Sequence, residues 1–418
     1  MLVFKFGGAS VKDAPGVINL GKVVSNYSGK QILIVVSAMG KTTNALEKLT
    51  HAYVNGSDDL HGIFDDIKNY HYALMHELFG DNHPVFDEVA NTFVEIDWMI
   101  EDEPHDDYDF IYDQIVSIGE LVSTRIVAAW LNHNDIACKW IDARGYIHTD
   151  NTYREGSVDW DKTKASIQKD IPTLLEKSIV ITQGFIGGTS ENFTTTLGRE
   201  GSDYTASIFA ACLGAESVTT WKDVPGILNA DPKLFTDTIK FEELSYQEAI
   251  EMTYYGASVI HPKTIKPLQN ANIPLLVKPF TNPDAPGTII KQNATNNFTQ
   301  PVIIVKNNQV LLSVSANDYS FITESHLSEI FACFAKYHVK INMMQTSALS
   351  FTACFDYTAD RFDKLLVSLK ENYKTKYNNE LKLVTLRHYT DKSLQEIVGD
   401  STILMKQTSR NTAQIVIK

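Results

Sequence analysis

The stretch from Gly184 to Ala206, G-F-I-G-G-T-S-E-N-F-T-T-T-L-G-R-E-G-S-D-Y-T-A, decides the fold. Before it, Ile179-Val180-Ile181-Thr182 is a β-branched run that reads as a buried strand. After it, Ala206, Phe209, Ala210 and Leu213 share one helical face, and Gly214 stands where a C-cap glycine belongs. A strand that empties through a Gly/Thr/Ser loop into a helix N-terminus aims free N–H groups and a partial positive charge at one spot, which suits an anion. Arg199 beside it carries the planar fork that grips a carboxylate with two hydrogen bonds. The expectation is an α/β fold that binds an anionic substrate here.

A chain of 418 residues predicts two or three domains, each able to bury a core. Its formal charge of −14 argues against sequence-independent binding to nucleic acid or to an anionic membrane, both of which need basic patches. No run reads as long or pure enough to span a bilayer, and Met1-Leu2-Val3-Phe4-Lys5-Phe6 reads as a strand rather than a signal peptide, so a cytoplasmic protein is expected. Cys138, Cys212, Cys333 and Cys354 are scattered without C-x-x-C spacing and read as reduced core residues.

Three further strand-to-loop junctions share the chemistry of the first. The opening strand runs into Gly7-Gly8-Ala9-Ser10, with Lys5 on the strand itself in K-F-G-G-A-S; glycines let backbone approach phosphate, and a lysine ammonium is a mobile point charge. Gln31 to Val36 is apolar without alternation, as a parallel strand covered on both faces should be, and ends in S-A-M-G-K-T-T-N from Ser37 to Asn44. Gly40-Lys41-Thr42 is not a P-loop, because the first glycine of that motif would fall at Val35. Ser217 to Trp221 reads as a strand leading into K-D-V-P-G-I-L-N-A-D-P-K from Lys222 to Lys233. Between these, residues 60 to 100 read as helices, and the acidic run Glu101 to Asp109 as a solvated connection whose last aspartate caps the next helix. That helix holds S-I-G-E-L-V-S from Ser117, with Glu120 among apolar neighbours and a mid-helix Gly119 that costs about 1 kcal/mol unless something packs closely against it. His261, before Pro262, reads as structural rather than as a base or metal ligand.

In the same order, these segments resemble the signatures of aspartate kinases in the amino-acid kinase superfamily: K-F-G-G-T-S, S-A-x-x-x-x-T-N, S-x-G-E-x-x-S, T-T-T-L-G-R-G-G-S-D, the W-[TK]-D-V-x-G nucleotide loop and [FY]-G-A-x-V-L-H-P. The resemblance implies a mainly parallel central sheet sandwiched by helices over residues 1–295. It also implies phosphoryl transfer from ATP with Mg²⁺ to L-aspartate. Ser37, Thr43, Glu120, Arg199 and Ser202 would contact the amino acid, with Glu120 near its ammonium and Arg199 on its α-carboxylate. Lys5, Gly7, Gly8, Ser10, Lys222, Asp223, Leu228, Lys233 and Ser258 would line the nucleotide, and Asp203 would orient Lys5 or the substrate ammonium. Ser258 replaces a lysine of many bacterial relatives, and Glu200 replaces a glycine. A carboxylate beside Arg199 should repel an anionic substrate, so Glu200 is expected to point to solvent. No carboxylate cluster for a metal is visible, and Mg²⁺ is expected to ride on phosphates and water. Rival readings are an acyl kinase for N-acetylglutamate or glutamate, a UMP kinase, and a catalytically silent amino-acid sensor.

Residues 281 to 300, rich in Asn, Pro, Thr and Gly, read as a linker, with Leu275 to Pro279 the last strand of the first domain. Beyond it a βαββα order over about 309–380 and a shorter copy over about 381–418 resemble ACT domains, with a strand from 301–306 completing the shorter one by chain exchange. That resemblance implies a homodimer or tetramer. At the effector position, where lysine-inhibited relatives have V-D-x-x-x-T-S-E, this chain has Ile341-Asn342-Met343-Met344-Gln345-Thr346-Ser347-Ala348, so weak or absent inhibition by lysine is expected.

Overall fold

The run Leu2–Phe6 (β1) lies in the middle of an eight-stranded sheet in the computed structural model of the chain, which describes residues 1–257, 260–295, 300–318 and 320–418. Packing divides the chain into two units: 1–227, 240–250 and 259–296 in one, and 228–239, 251–258 and 297–418 in the other. The second unit is therefore not the contiguous tail of the sequence reading.

In the first unit the elements run β1, α1 (Ala14–Ser25), β2 (Ile32–Val36), α2 (Thr42–Val54), α3 (Leu60–Phe79), α4 (Val85–Glu101), α5 (Tyr108–Val116), α6 (Ile118–His133) and β3 (Cys138–Trp140). Then come α7 (Trp160–Leu175), β4 (Ile179–Gln183), β5 (Ile186–Gly188), β6 (Thr194–Thr196), α8 (Gly201–Leu213), β7 (Ser217–Lys222), β8 (Glu243–Ser245), α9 (Tyr246–Tyr255), α10 (Pro262–Ala271), β9 (Leu275–Pro279) and β10 (Thr288–Lys291). Helix α9 crosses the division at residue 250. The sheet order is β3-β4-β2-β1-β7-β9-β10-β8, and every pair is parallel except β9 with β10.

Side chains alternate across such a sheet. Phe4, Phe6, Ile32, Ile34, Val36, Ile181 and Trp221 join one core with residues of α1 to α6. Lys5 falls in the opposite alternation, on the face covered by α8, which packs on β1, β2 and β7. The strands are apolar throughout because both faces are covered.

Several details differ from the sequence reading. Strand β10 lies inside the expected linker, where it pairs with β9 and β8 and extends the sheet beyond the expected last strand. The Gly/Thr loop after β4 folds part of itself into a hairpin, Ile186–Gly188 against Thr194–Thr196, so its threonines pair rather than dangle. The cap position of α5 belongs to Asp107, without a side-chain bond, while Asp109 in the first turn pairs with Arg154 at 3.2 Å. Among the described residues the helical stretch Tyr108–His133 is long and apolar enough to cross a membrane by length and composition; 78% of its apolar window is buried in this unit, which accounts for the hydropathy. The cysteines form no disulfide, and Cys138 and Cys333 are only half-buried. His261 caps α10 by accepting the Lys263 N–H. Gly214 ends α8 in the left-handed conformation, as read.

In the second unit, β11 (Val302–Ala316), α11 (Glu324–Lys336), β12 (Ile341–Thr346), β13 (Ser350–Asp356), α12 (Ala359–Asn372), β14 (Tyr373–Arg387), α13 (Asp391–Val398), β15 (Ile403–Thr408) and β16 (Thr412–Ile417) form one antiparallel sheet, β12-β13-β11-β14-β16-β15. The central strands β11 and β14 are 15 residues each, and each serves both halves. Val302–Lys306 pairs with Leu383–Arg387 of the same chain, so the shorter half is completed within the chain rather than by exchange. Buried Asn229 explains why 228–239 joins this unit: it donates to the Pro301 carbonyl at 3.1 Å and its own carbonyl accepts the Ile303 N–H at 2.7 Å.

Candidate active site

Parallel strands present their C-terminal ends at one edge, so the loops after β1, β2, β4 and β7 meet although they are up to about 200 residues apart, the usual ligand edge of such a sheet. Hydrogen bonds lace them together: Ser37 N–H to the Phe6 carbonyl (3.1 Å), Gly40 N–H to the Gly8 carbonyl (3.0 Å), and Gly184 N–H to the Val36 carbonyl (2.9 Å). The contacts leave no room for side chains. A Cβ on Gly8 would stand 2.6 Å from the Ala38 oxygen, and one on Gly184 would stand 2.4 Å from the Ser202 Cβ. Ser10 is buried, and its hydroxyl is spent on the Trp221 carbonyl at 3.4 Å.

Lys5, at the end of β1, is buried and faces α8. Its Nζ lies 2.7 Å from Asp203 Oδ1, an ion contact off the hydrogen-bond direction, since that oxygen has no aligned donor. Lys222, from the end of β7, donates to Asp203 Oδ2 at 3.2 Å. Burial works to raise the Asp203 carboxyl, but the two ammoniums, Lys5 first, hold it well below the usual carboxylate range. Burial likewise disfavours the Lys222 ammonium, and Asp203 and Glu200 more than offset it. Two lysine side chains thus converge on one buried carboxylate at the N-terminus of α8, whose own dipole adds a partial positive charge there.

Glu120 stands in the first turn of α6, fully buried. Its Oε1 accepts the Ala38 N–H at 3.3 Å, and its Oε2 is buried without a protein partner. Burial pushes this carboxyl up to about 8, against the pull of the Ala38 N–H and of Lys5. Gly119 lets α6 come this close: a Cβ there would lie 3.0 Å from Leu46 Cδ1 and 3.1 Å from Ala38 Cβ. A buried carboxyl oxygen without a protein partner is a place for a ligand's hydrogen-bonding group, an ammonium once the carboxyl is ionised.

Arg199 is exposed and makes no hydrogen bond or ion pair among the described residues. Ser202 is buried beside Gly184, and Thr43 is half-buried in the first turn of α2. Asp223 is exposed just beyond Lys222. Leu228 and Lys233 belong to the other unit, where the Lys233 N–H donates to Asp231 Oδ1 and its side chain is exposed. Ser258 lies outside the described residues.

Glu200 does not point to solvent as expected. Its backbone is left-handed (φ 56°), its side chain is only 32% exposed, and Oε2 approaches Lys222 Nζ to 3.9 Å. The lysine pulls it inward, and burial raises its carboxyl. Two contributors escaped the sequence reading. Phe185 is left-handed (φ 71°) because its carbonyl accepts the Leu197 N–H while its own N–H reaches Thr205 Oγ1, and no composition signal marks it. Asp113 was passed over, although an acid inside the run F-I-Y-D-Q-I-V is a signal that could have marked it.

Comparison with known proteins agrees with this geometry. Residues 1–279 match the model of the amino acid kinase family. Lysine-sensitive aspartokinase 3 of Escherichia coli K12 is 30% identical over 358 residues, covering 86% of this chain and 79% of that protein. Chloroplastic aspartokinase 1 of Arabidopsis thaliana is 31% identical over 369 residues, covering 85% of this chain and 63% of that longer protein. The crystal structure of E. coli aspartokinase III with aspartate and ADP (R-state) superposes with a TM-score of 0.85 at 27% identity, covering all of this chain and 96% of that one. The chain belongs to the amino acid kinase family and, within it, to the aspartokinases.

Proposed function

We propose that this edge binds MgATP and L-aspartate and that a β-carboxylate oxygen of aspartate attacks the γ-phosphorus, breaking its bond to the bridging oxygen of ADP and giving 4-phospho-L-aspartate. The observation that carries the reading is the buried Lys5–Asp203–Lys222 cluster at the N-terminus of α8. The aspartate side chain, with an ordinary pKa near 3.9, is already ionised at neutral pH, so no general base is needed. The obstacle is repulsion between anions, and the remedy is fixed positive charge. Lys5 and Lys222 supply it, oriented by Asp203 before the substrates arrive. Arg199 takes the α-carboxylate and Glu120 Oε2 the ammonium, which together select an amino acid. Mg²⁺ enters on the nucleotide: Asp203 is already engaged by two lysines, and no cluster of metal-ligating side chains occurs among the described residues.

The test is ATP-dependent acyl-phosphate formation trapped as hydroxamate, with aspartate, glutamate and N-acetylglutamate in parallel. Product with aspartate alone supports the reading. Product only with another acceptor, or none, overturns it.

For the second unit we propose a role in self-association and weak or absent lysine control. Asn342, at the effector position, is taken up internally: it accepts from Lys306 Nζ (2.9 Å) and donates to Gln309 Oε1 (2.9 Å) and Asp356 Oδ2 (3.1 Å). Ser347 is likewise bonded to Ser350. The loss of two charge-assisted bonds, about 1.5–3 kcal/mol each, weakens an effector by two or more orders of magnitude. Kinase rates measured across lysine concentrations check this, and half-inhibition well below millimolar contradicts it.

A further inference from the structure

Asp113 of α5 is completely buried and touches none of the loops that carry Lys5 or Lys222 in any hydrogen bond it makes; its carboxylate is turned toward β6 instead. Its Oδ2 accepts the Thr196 N–H at 2.9 Å and the Arg154 N–H at 2.8 Å, and its Oδ1 accepts the Thr196 hydroxyl at 2.7 Å. The next residue, Gln114, brackets Thr194, accepting its N–H at 3.0 Å and donating to its carbonyl at 2.9 Å. One edge of β6 pairs with β5, and these two side chains serve its backbone as a further strand would. Three residues beyond Thr196 comes Arg199, and seven residues beyond Asp113, across the junction at Ser117, comes Glu120.

We propose that Asp113 is a positioning residue that sets the length of the amino-acid acceptor, by locking the Arg199 loop to the helical segment that carries Glu120. The inference rests on the reading that Arg199 holds the acceptor's α-carboxylate and Glu120 its ammonium. With the Arg199 loop tied to α5 and Glu120 in the first turn of α6 directly after it, the acceptor's α-carbon is fixed and only a side chain of the right length brings its carboxylate to the phosphoryl group. When the Thr196 anchor is loosened, Arg199 drifts relative to Glu120 and that measure is lost. A displacement near 1 Å at a positioning group costs on the order of 10²-fold in rate. Neither Asp113 nor Thr196 makes a hydrogen bond to Lys5, Lys222 or Asp203, so the lock stands apart from the cluster proposed to meet the phosphates.

Thr196→Val removes the hydroxyl donor and keeps the shape. Asp113→Ala removes the whole lock, and Asp113→Asn keeps an oxygen for the two N–H groups while its amide donates to the Thr196 hydroxyl. Kinetics of the full chain are measured by hydroxamate trapping with aspartate and with glutamate, after circular dichroism has established that each variant is folded. Expected are a KM for aspartate raised at least tenfold in Asp113→Ala and severalfold in Thr196→Val, and a KM for MgATP within twofold of the parent. The ratio of kcat/KM for aspartate over glutamate should fall at least tenfold in Asp113→Ala, with substantial recovery in Asp113→Asn. Hydrogen exchange at the Thr196 amide should accelerate in the same order whatever the activity. Folded variants with unchanged selectivity, or with both KM values raised together, overturn the proposal and leave the kinase reading standing. Absence of aspartyl hydroxamate from the parent chain overturns that reading and the proposal with it. If Asp113→Ala does not fold, Thr196→Val decides by the same two criteria.

Discussion

Replacing Glu200 by glycine should tighten nucleotide binding at almost no cost to the fold. A left-handed backbone costs a non-glycine residue about 1–2 kcal/mol, which glycine would avoid. Glycine returns about 0.4–1 kcal/mol of that through the larger entropy of its unfolded chain. The 3.9 Å contact with Lys222, on a carboxylate one-third exposed, is worth at most a few tenths of a kcal/mol. Net stability should therefore lie between about unchanged and about 1.5 kcal/mol higher. Charge is another matter. Lys5 and Lys222 are balanced by Asp203 and Glu200, so removing Glu200 leaves the cluster with one surplus positive charge. A carboxylate about 6 Å from an incoming phosphate charge repels it by roughly 0.7–3 kcal/mol at effective dielectric constants between about 80 and 20. The middle of that range corresponds to roughly tenfold in affinity. The KM for MgATP in the hydroxamate assay should fall about tenfold at low ionic strength, and less in high salt. Glu200→Gln removes the charge but keeps the backbone cost, so it should show the same KM without any gain in thermal midpoint. A KM for MgATP unchanged in both variants at low salt would show that Glu200 does not oppose the incoming phosphates, and the reasoning would fail.

Lys5→Ala should lower kcat about 10²–10³-fold with little change in the KM for aspartate, while Lys222 keeps Asp203 paired and circular dichroism stays unchanged; a variant retaining most of its kcat removes Lys5 from the mechanism. Arg199→Lys should raise the KM for aspartate at least tenfold, since a point charge cannot reproduce a two-pronged grip, and an unchanged KM contradicts the assignment. Glu120, raised to about 8, binds a proton in the folded protein that the unfolded chain has released above the ordinary carboxylate range. Its contribution therefore lowers stability as pH climbs from about 4.5 to 8 and then levels off, and Glu120→Gln should flatten that slope in denaturant titrations. If the ionised carboxylate receives the substrate ammonium, calorimetry should show aspartate binding tighter with rising pH until about 8, and Glu120→Gln should abolish the trend.

The first unit was largely legible because its strands are short, apolar and parallel, and each is followed by a loop whose chemistry is written in consecutive residues. Lys5, Arg199 and Asp203 could be named from such loops. The direction of Glu200 could not, because it depends on Lys222, 22 residues away along the chain and adjacent only after β7 pairs with β1. The hairpin β5/β6 was missed since a run of threonines flanked by glycines reads equally as loop. In the second unit, Tyr373 to Glu380 alternates too weakly to announce a strand, with lysines, asparagines and a glutamate predominating. Pairing with the longer β11 makes it one. The recruitment of 228–239 by Asn229 rests on two hydrogen bonds, to Pro301 and Ile303, that no local pattern encodes.

Two sets of departures from ordinary backbone and burial rules contrast chemistry with architecture. In the first unit Phe185 and Glu200 are left-handed, Lys5 and Asp203 are buried against each other, and Glu120 Oε2 is buried without a partner. All five belong to the loops, strand ends and first helical turns gathered at the C-terminal edge of the parallel sheet, and hydrogen bonds within one element explain none of them. In the second unit the left-handed Asn308 and Glu380 sit in the irregular registers of β11 and β14, between Lys306 and Leu311 on one strand and opposite Asn378 to Leu381 on the other. There the strain has a mechanical cause, since each long strand must change partners halfway to serve both halves of the sheet. Strain with such a cause needs no ligand to account for it. The burial of Lys5, Asp203 and Glu120 has no such cause, and buried ions repay their desolvation only through close partners. Asp203 has two such partners and Glu120 has none for one of its oxygens, so the first is an organiser already in place and the second is the acceptor that an incoming ammonium completes.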